Sequence, residues 1–104
     1  MAMDAQLNRI KEILEARVGR ENQISSGEIG PEIGIHEDAT HVQVRSLIRV
    51  AIEKLRLPVG GSSRGYYLIK DEDELKQYTE SIDKRIDKMQ RRKDLIEEAF
   101  EDYY

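Results

Sequence analysis

The C-terminal third of the chain is a long stretch without any helix-breaking residue. No glycine or proline occurs between Asp71 and Tyr104. The stretch opens on an acidic run in which Asp71 can cap a helix and Glu74 follows three residues later, the spacing of a capping box. These signals predict one helix of roughly 30 residues, about 45 Å long. A helix of this length extends beyond the small body that the rest of the chain can form.

Apolar residues along this predicted helix follow a 3-4 spacing close to a heptad repeat, interrupted by polar Thr79 and Lys93. They are Leu75, Ile82, Ile86, Met89, Ile96, Phe100 and Tyr103. Such a stripe on a long helix is typical of a coiled coil. We expect these residues to form a dimerisation surface with a second copy of the chain. The alternative is that the helix folds back against the first helix of its own chain, and the pattern does not fix whether paired helices run parallel or antiparallel.

The composition limits how large a core the chain can build. Of 104 residues, 38% are hydrophobic and 37% charged, and there is no cysteine. A core this small needs an oligomer or a staple, and disulfides are excluded as the staple. The absence of cysteine fits the reducing cytoplasm. No apolar run reaches the length of a signal peptide or the roughly 20 residues of a membrane span. We therefore expect a soluble, cytoplasmic protein without a membrane partner.

Residues 1–35 carry the signals of two helices. Apolar residues recur at helical spacing over residues 4–17, which predicts the first helix. Ser25 or Ser26 can cap a short second helix, and Gly34 can end it.

A third helix is predicted over residues 40–56, and a hairpin over residues 57–69. Thr40 can cap the helix, whose apolar stripe runs from Val44 to Leu55. Two short β-prone runs flank a Gly/Ser loop in the hairpin segment. Pro58 confines the first of these strands to an edge or an end of a sheet. Ile24, ahead of the second helix, is either a short strand or a packing residue at the helix entrance.

Charge is distributed unevenly along the chain. The net charge is −4, but residues 71–104 hold 7 basic and 12 acidic side chains, whereas residues 40–70 hold six basic and one acidic, a local charge of +5. Electrostatic footprints are local, so the basic segment says more about a partner than the net charge does. The acidic C-terminal segment is expected to lower non-specific affinity for phosphate.

The predicted order of elements is that of a winged helix-turn-helix followed by a dimerisation helix. Residues 24–69 resemble the winged-helix domains of prokaryotic transcription regulators and of small phage and archaeal DNA-binding proteins. Within them, Arg-Leu-Pro-Val at 56–59 and Ser-Ser-Arg-Gly-Tyr-Tyr-Leu at 62–68 look like the wing of the biotin-repressor-type N-terminal domain. The resemblance implies an α+β, mainly α fold, with a DNA-binding domain over residues 1–70 and a coiled-coil dimerisation helix over residues 71–104.

The predicted DNA-binding residues lie on the third helix and in the hairpin loop. They are Thr40, His41, Gln43, Arg45, Ser46 and Arg49 on the helix, and Ser62, Ser63 and Arg64 in the loop. The second helix of a helix-turn-helix enters the major groove with its N-terminal end first. There, Arg can bond guanine and Gln can bond adenine with paired hydrogen bonds. The loop serines and Arg64 suit backbone phosphate or a narrow minor groove. The plain alternatives are a solvated helix face and an ordinary glycine turn.

Other kinds of site are disfavoured. Gly60 and Gly65 have the spacing of a phosphate-binding loop, but tyrosines at 66–67 stand where that loop requires Lys and Ser or Thr. His36 and His41 are five residues apart, which on a helix is about 500° and places them on different faces, so no metal site is expected. The chain has no Ser/His/Asp or Cys/His set, and we expect neither enzyme activity nor a cofactor.

The sequence thus predicts a homodimer that binds double-stranded DNA as a transcription regulator. The alternative is a protein-interaction module on the same fold, which the overall acidity favours.

Overall fold

The computed structural model describes residues 2–36 and 41–104, and within them the chain is a mainly helical α+β protein, as the sequence predicted. The helices are α1 (Ala2–Glu15), α2 (Ser26–Glu32), α3 (Val42–Leu55) and α4 (Glu72–Tyr103). The strands are β1 (Val59–Ser62) and β2 (Gly65–Leu68), joined as an antiparallel hairpin. A 3-10 turn (Arg20–Asn22) follows α1.

The helix α1 begins and ends two residues earlier than predicted. Backbone hydrogen bonds to the sheet lie just beyond its C-terminal end, where Gly19 has a positive φ of 91°. The amide of Leu68 donates to the carbonyl of Arg17 at 2.9 Å, and the amide of Gly19 donates to the carbonyl of Leu68 at 2.8 Å. These backbone groups pair with β2, so they are not available to continue the helix.

The helix α2 is short, and it packs closely on α3. Ser25 caps it by accepting a hydrogen bond from the amide three residues on, at 3.2 Å. The chain then turns back, and the amide of Ile35 donates to the carbonyl of Gly30 at 2.8 Å. A Cβ on Gly30 would lie 2.9 Å from the carbonyl oxygen of Ile35 and 3.4 Å from the side chain of Val44. Glycine at this position therefore permits the close approach of α2, the turn and α3.

The N-terminus of α3 differs from the predicted capped start. Thr40, the predicted cap, lies outside the described residues. His41 precedes α3 with left-handed backbone angles, φ 49° and ψ 37°, and its side chain makes no capping hydrogen bond. At the other end, Arg56 is also left-handed, with φ 56°, and Pro58 follows two residues later, a common arrangement after a helix C-terminus.

The strand β2 has partners on both sides. It pairs with β1 in the register Val59↔Leu68 to Ser62↔Gly65. On its other side, Ile24 pairs with Tyr66 through two backbone hydrogen bonds of 2.8 Å each. Ile24 thus forms a strand-like bridge, the first of the two alternatives left open by the sequence. The strand β1 lies at the edge directly after the proline, as predicted.

The hydrophobic core lies between α1, α2, α3 and the hairpin. Its buried members are Leu7, Ile10, Ile13, Leu14, Ile24, Ile29, Ile33, Val44, Ile48, Ala51, Leu57 and Val59. The helix α4 contributes no apolar residue to this cluster; its buried side chain is that of Glu74. At 32 residues, α4 is about 48 Å long. It accounts for the elongated shape of the molecule, 53 × 33 × 23 Å.

Candidate functional site

A cleft of about 640 Å³ lies between α3, the hairpin and the first half of α4. Residues from four parts of the chain line it: the 3-10 turn, α3, the two strands with their turn, and α4. The lining residues are Arg20, Arg45, Ile48, Arg49, Ile52, Gly61, Ser62, Ser63, Tyr66, Tyr67, Gln77, Tyr78, Ser81 and Arg85.

The wall formed by α3 combines basic and apolar side chains. Arg45 and Arg49 lie one helical turn apart on the exposed side of the helix. Between them and the core, Ile48 is buried, and Ile52 remains 37% exposed. The buried side of α3 therefore holds the helix against the core. Its outward side places two guanidinium groups at the edge of the cleft.

The hairpin wall is held in place by Ser62. The Ser62 hydroxyl donates to Oε1 of Gln23 at 2.6 Å and accepts from the Arg64 amide at 3.1 Å. This hydroxyl is therefore already used within the protein, where it ties the hairpin to the segment before α2. Ser63 and Arg64 form the exposed turn and are the hairpin residues best placed to contact a ligand.

The third wall is formed by α4. Gln77, Ser81 and Arg85 are spaced four residues apart, so they lie along one side of the helix and all line the cleft. On the same side, Tyr78 contacts Tyr67 of β2 edge-to-face, with ring centroids 6.5 Å apart. This aromatic contact attaches α4 to the sheet beside the cleft.

Glu74 joins the start of α4 to the rest of the molecule. Its carboxylate accepts hydrogen bonds from the amides of Arg20 and Lys70, each at 3.1 Å. Its own amide donates to Oδ1 of Asp71 at 2.9 Å, which confirms the predicted cap. Because charge-assisted hydrogen bonds are the strong ones, this 8% exposed carboxylate is a strong link between α4 and the rest of the molecule.

The cleft is electropositive. Four arginines line it, and none of its lining residues is acidic. Among the described residues, ion pairs join Arg9 to Glu12 and Glu32 and join Lys93 to Glu97, and none involves a cleft arginine. Uncompensated guanidinium groups that converge on one concave surface favour an anionic ligand, and phosphate in particular.

The side chain of Tyr67, which also lines the cleft, keeps its phenol protonated and neutral. Burial raises the pKa of its phenol above the ordinary value of 10.0, and the nearby carboxylate of Glu74 adds to the shift. Arg20 opposes the shift more weakly.

The structure brings together only some of the predicted DNA-binding residues. Arg45, Arg49, Ser62 and Ser63 line the cleft, and Arg64 is at the adjoining turn. Ser46 is exposed on the outward side of α3, one turn from the helix start.

Two further predicted DNA-binding residues do not line the cleft. Gln43 is exposed but is about 200° around the helix from Arg45, so it does not face the cleft. The imidazole of His41 lies beside α2, 3.7 Å from the position that a Cβ on Gly27 would occupy. Thr40 is outside the described residues.

Sequence reasoning did not include Arg20, Gln77, Ser81 and Arg85 in the site. In the sequence, Arg85 stands between Asp83 and Asp87, and such alternation of charges is typical of a solvated coiled-coil flank rather than of a binding site. A finer signal was present in the sequence: none of the residues three or four positions from Arg85 is acidic. The other three are brought to the cleft by tertiary packing, for which no local pattern exists.

The apolar stripe of α4 is not covered by the chain itself. Six of the seven predicted dimerisation residues are exposed, from 45% at Leu75 to 82% at Tyr103, and Ile82 is half-buried. The helix therefore does not fold back against α1, which was the alternative left open by the sequence. At its end, the rings of Phe100 and Tyr104 lie 5.0 Å apart, between centroids.

Other classes of site find no support in the part of the chain that the structure describes. No group of three or more His, Cys, Asp or Glu side chains there is arranged to hold a metal ion. None of the described helices has both the length and the apolar character needed to cross a membrane. No protein-family model matches this chain, and neither the curated proteins nor the solved structures include a match to it.

Proposed function

We propose that this chain is a winged-helix protein that binds double-stranded DNA as a cytoplasmic, homodimeric transcription regulator. In this proposal α3 is the recognition helix, and the β1–β2 hairpin is the wing. The observation that carries it is the electropositive cleft: Arg45 and Arg49 stand on the outward face of a helix beside an exposed hairpin turn, without a carboxylate on the cleft surface.

The arrangement of elements supports the winged-helix assignment. A short helix, a turn and a longer helix lie ahead of a hairpin, and β2 also pairs with Ile24 in front of α2. This is the element order of a helix-turn-helix with a wing. The close packing of α2 and α3 around Gly30 gives the pair the rigidity that a recognition helix requires.

Different residues have different roles in this proposal. Arg45 and Arg49 read base edges in the major groove, where Arg forms paired hydrogen bonds with guanine. Ser63 and Arg64 contact the flanking backbone, which positions the protein without reading sequence. Ser62 supports the wing from within, since its hydroxyl is bound to Gln23. The mechanism is stoichiometric binding, and no catalytic step is involved.

A second copy of the chain is the proposed occupant of the exposed stripe on α4. Exposed apolar residues at heptad spacing on one long helix are the pattern that a coiled-coil partner buries. Dimerisation through α4 would place two recognition helices at a fixed separation, as dimeric DNA-binding proteins require for paired half-sites.

The test is a fluorescence-anisotropy titration of labelled duplex DNA at two salt concentrations, after selection of a preferred sequence. Arg45→Ala and Arg49→Ala should each weaken specific binding by about 1–3 kcal/mol and relax the sequence preference. Lys54→Ala is the matched control, because Lys54 is a basic, exposed residue on α3 that does not line the cleft. Equal and small effects of all three substitutions would contradict the assigned roles.

A protein-interaction module is the second candidate. The exposed apolar stripe of α4 and the net charge of −4 favour it. Salt separates the two functions, because DNA binding weakens steeply as salt rises and an apolar interface does not. A chain that ignores duplex DNA even at low salt would favour this second function.

A further inference from the structure

One side of α4 is basic over about two turns in the middle of the helix, and acidic residues follow another side. Arg85, Lys88 and Arg92 follow one another at intervals of three and four residues, so they share one side, which is called the basic flank here. Acidic residues recur every seven positions on another side of the helix. They are Asp73, Glu80, Asp87, Asp94 and Glu101. Residues 71–104 are acidic as a whole, but α4 nevertheless has a basic surface on one side.

The basic flank is a continuation of the cleft. Its first member, Arg85, lines the cleft together with Arg45 and Arg49 of α3. Lys88 and Arg92 follow on the same side of α4, and both are exposed. The electropositive surface thus extends from α3 across the cleft and outward along α4.

No helix neighbour compensates these three cations. The residues three and four positions before and after Arg85, Lys88 and Arg92 include no aspartate or glutamate. Instead, the three cations are neighbours of one another, and like charges at these spacings destabilise an isolated helix. Arg91 shows the contrast, because Asp87 and Asp94 stand four residues before it and three after it. The three cations repel one another, and a bound anion would relieve this repulsion. The cluster therefore favours an anionic partner.

We propose that the basic flank of α4 binds the phosphodiester backbone of the same DNA duplex that α3 engages. The inference rests on the proposed function. Arg85 and Arg92 are separated by about 10 Å along the helix axis. That distance matches the axial rise of about three nucleotides of one strand of a duplex. In this proposal α4 has two surfaces: the apolar stripe pairs with the second copy, and the basic flank contacts phosphate without reading sequence.

Two triple variants with the same change in net charge test the proposal. The flank variant is Arg85→Gln, Lys88→Gln and Arg92→Gln. The control is Lys76→Gln, Lys84→Gln and Arg91→Gln, whose members each have an acidic residue three or four positions away. Glutamine is a good helix former, so α4 should persist in both variants, which circular dichroism and light scattering would verify. Both are titrated with the preferred duplex and with an unrelated duplex across a series of salt concentrations.

The flank variant should lose about tenfold or more in affinity for both duplexes, and its log–log salt slope should fall by roughly two to three, whereas the control should change both far less. Equal losses in the two variants would attribute the effect to net charge and overturn the proposal. A flank variant that binds like the wild type, while Arg45→Ala still weakens binding, would overturn it and leave the proposed function in place. A wild-type protein that binds no duplex at low salt would end the proposed function and this inference together.

Discussion

Gly65 is the residue at which the backbone geometry is most demanding. It opens β2 with φ 153°. A Cβ at this position would collide with the carbonyl oxygen of Ile24 and lie 3.0 Å from the amide nitrogen of Ser25. The carbonyl oxygen of Ile24 itself accepts a hydrogen bond from the amide of Tyr66 in β2, so it cannot move aside without breaking this bridge. Gly34, by comparison, has φ 78° but nothing within 4 Å of its Cβ position.

These two glycines give a matched pair of substitutions. Gly34→Ala should lower the free energy of unfolding by about 1 kcal/mol, since it adds only backbone strain. Gly65→Ala should lower it by more than about 2 kcal/mol, because it adds steric overlap with backbone to that strain. Denaturant unfolding followed by circular dichroism measures both. A Gly65→Ala protein as stable as Gly34→Ala would show that the Ile24 bridge is not required.

Glu74 illustrates how a local signal can have a tertiary consequence. The acidic residue three positions after Asp71 predicts a helix start, and that start is present. The carboxylate, however, bonds the amide of Arg20, 54 residues away in sequence. The same residue therefore lies in the capped first turn of α4 and attaches this helix to the turn after α1.

Among the elements, α4 is unusual because one apolar side is left open along most of its length. Leu95 and Ile96 are adjacent and almost equally exposed, at 63% and 60%. Ile96 lies in the heptad stripe, and Leu95 lies about 100° away from it around the helix. Substitutions at these two positions therefore distinguish the contribution of the heptad stripe to dimerisation from that of exposed apolar surface in general.

If the proposed dimer forms through the α4 stripe, Ile96→Glu should shift the protein from dimer to monomer, because a charge at a core position of a coiled coil must be desolvated on pairing. Leu95→Glu should leave the dimer intact. Sedimentation velocity or light scattering at matched concentrations gives the mass of each variant. If both variants remain dimeric, the α4 stripe is not the dimer interface.

At the scale of the whole molecule, the core lies apart from most of α4, and basic side chains lie apart from acidic ones. The core lies at one end of a 53 Å particle, and much of α4 has no tertiary partner within the chain. Basic side chains gather on the cleft, while acidic residues at heptad spacing follow a different side of α4 from its basic flank. The net charge of −4 therefore describes no single surface of the protein.

This shape predicts that stability depends on concentration. If two copies bury the α4 stripe, mass action should raise the melting temperature by several degrees over a hundred-fold increase in protein concentration. The signal at 222 nm is suitable, since helices dominate the fold. A melting temperature independent of concentration over that range, together with a monomer mass, would contradict pairing through α4.

The sequence by itself determined which elements form and in what order. The caps at Ser25 and Asp71, the hairpin after Pro58 and the uninterrupted α4 are each encoded within a few neighbouring residues, so local physical chemistry predicts them. The bounds of α1 were less well predicted, and backbone groups of Arg17 and Gly19 pair with β2 just beyond the end of that helix.

Only the tertiary structure decided what faces the cleft. Helical spacing places Arg85 on a side of α4, but it does not say which element that side meets. That was settled by the bonds of Glu74 and by the contact of Tyr78 with Tyr67, which join segments far apart in sequence. The direction of one helix relative to another depends on such long-range contacts, and for this reason Arg20, Gln77 and Ser81 carried no recognisable signal of their own.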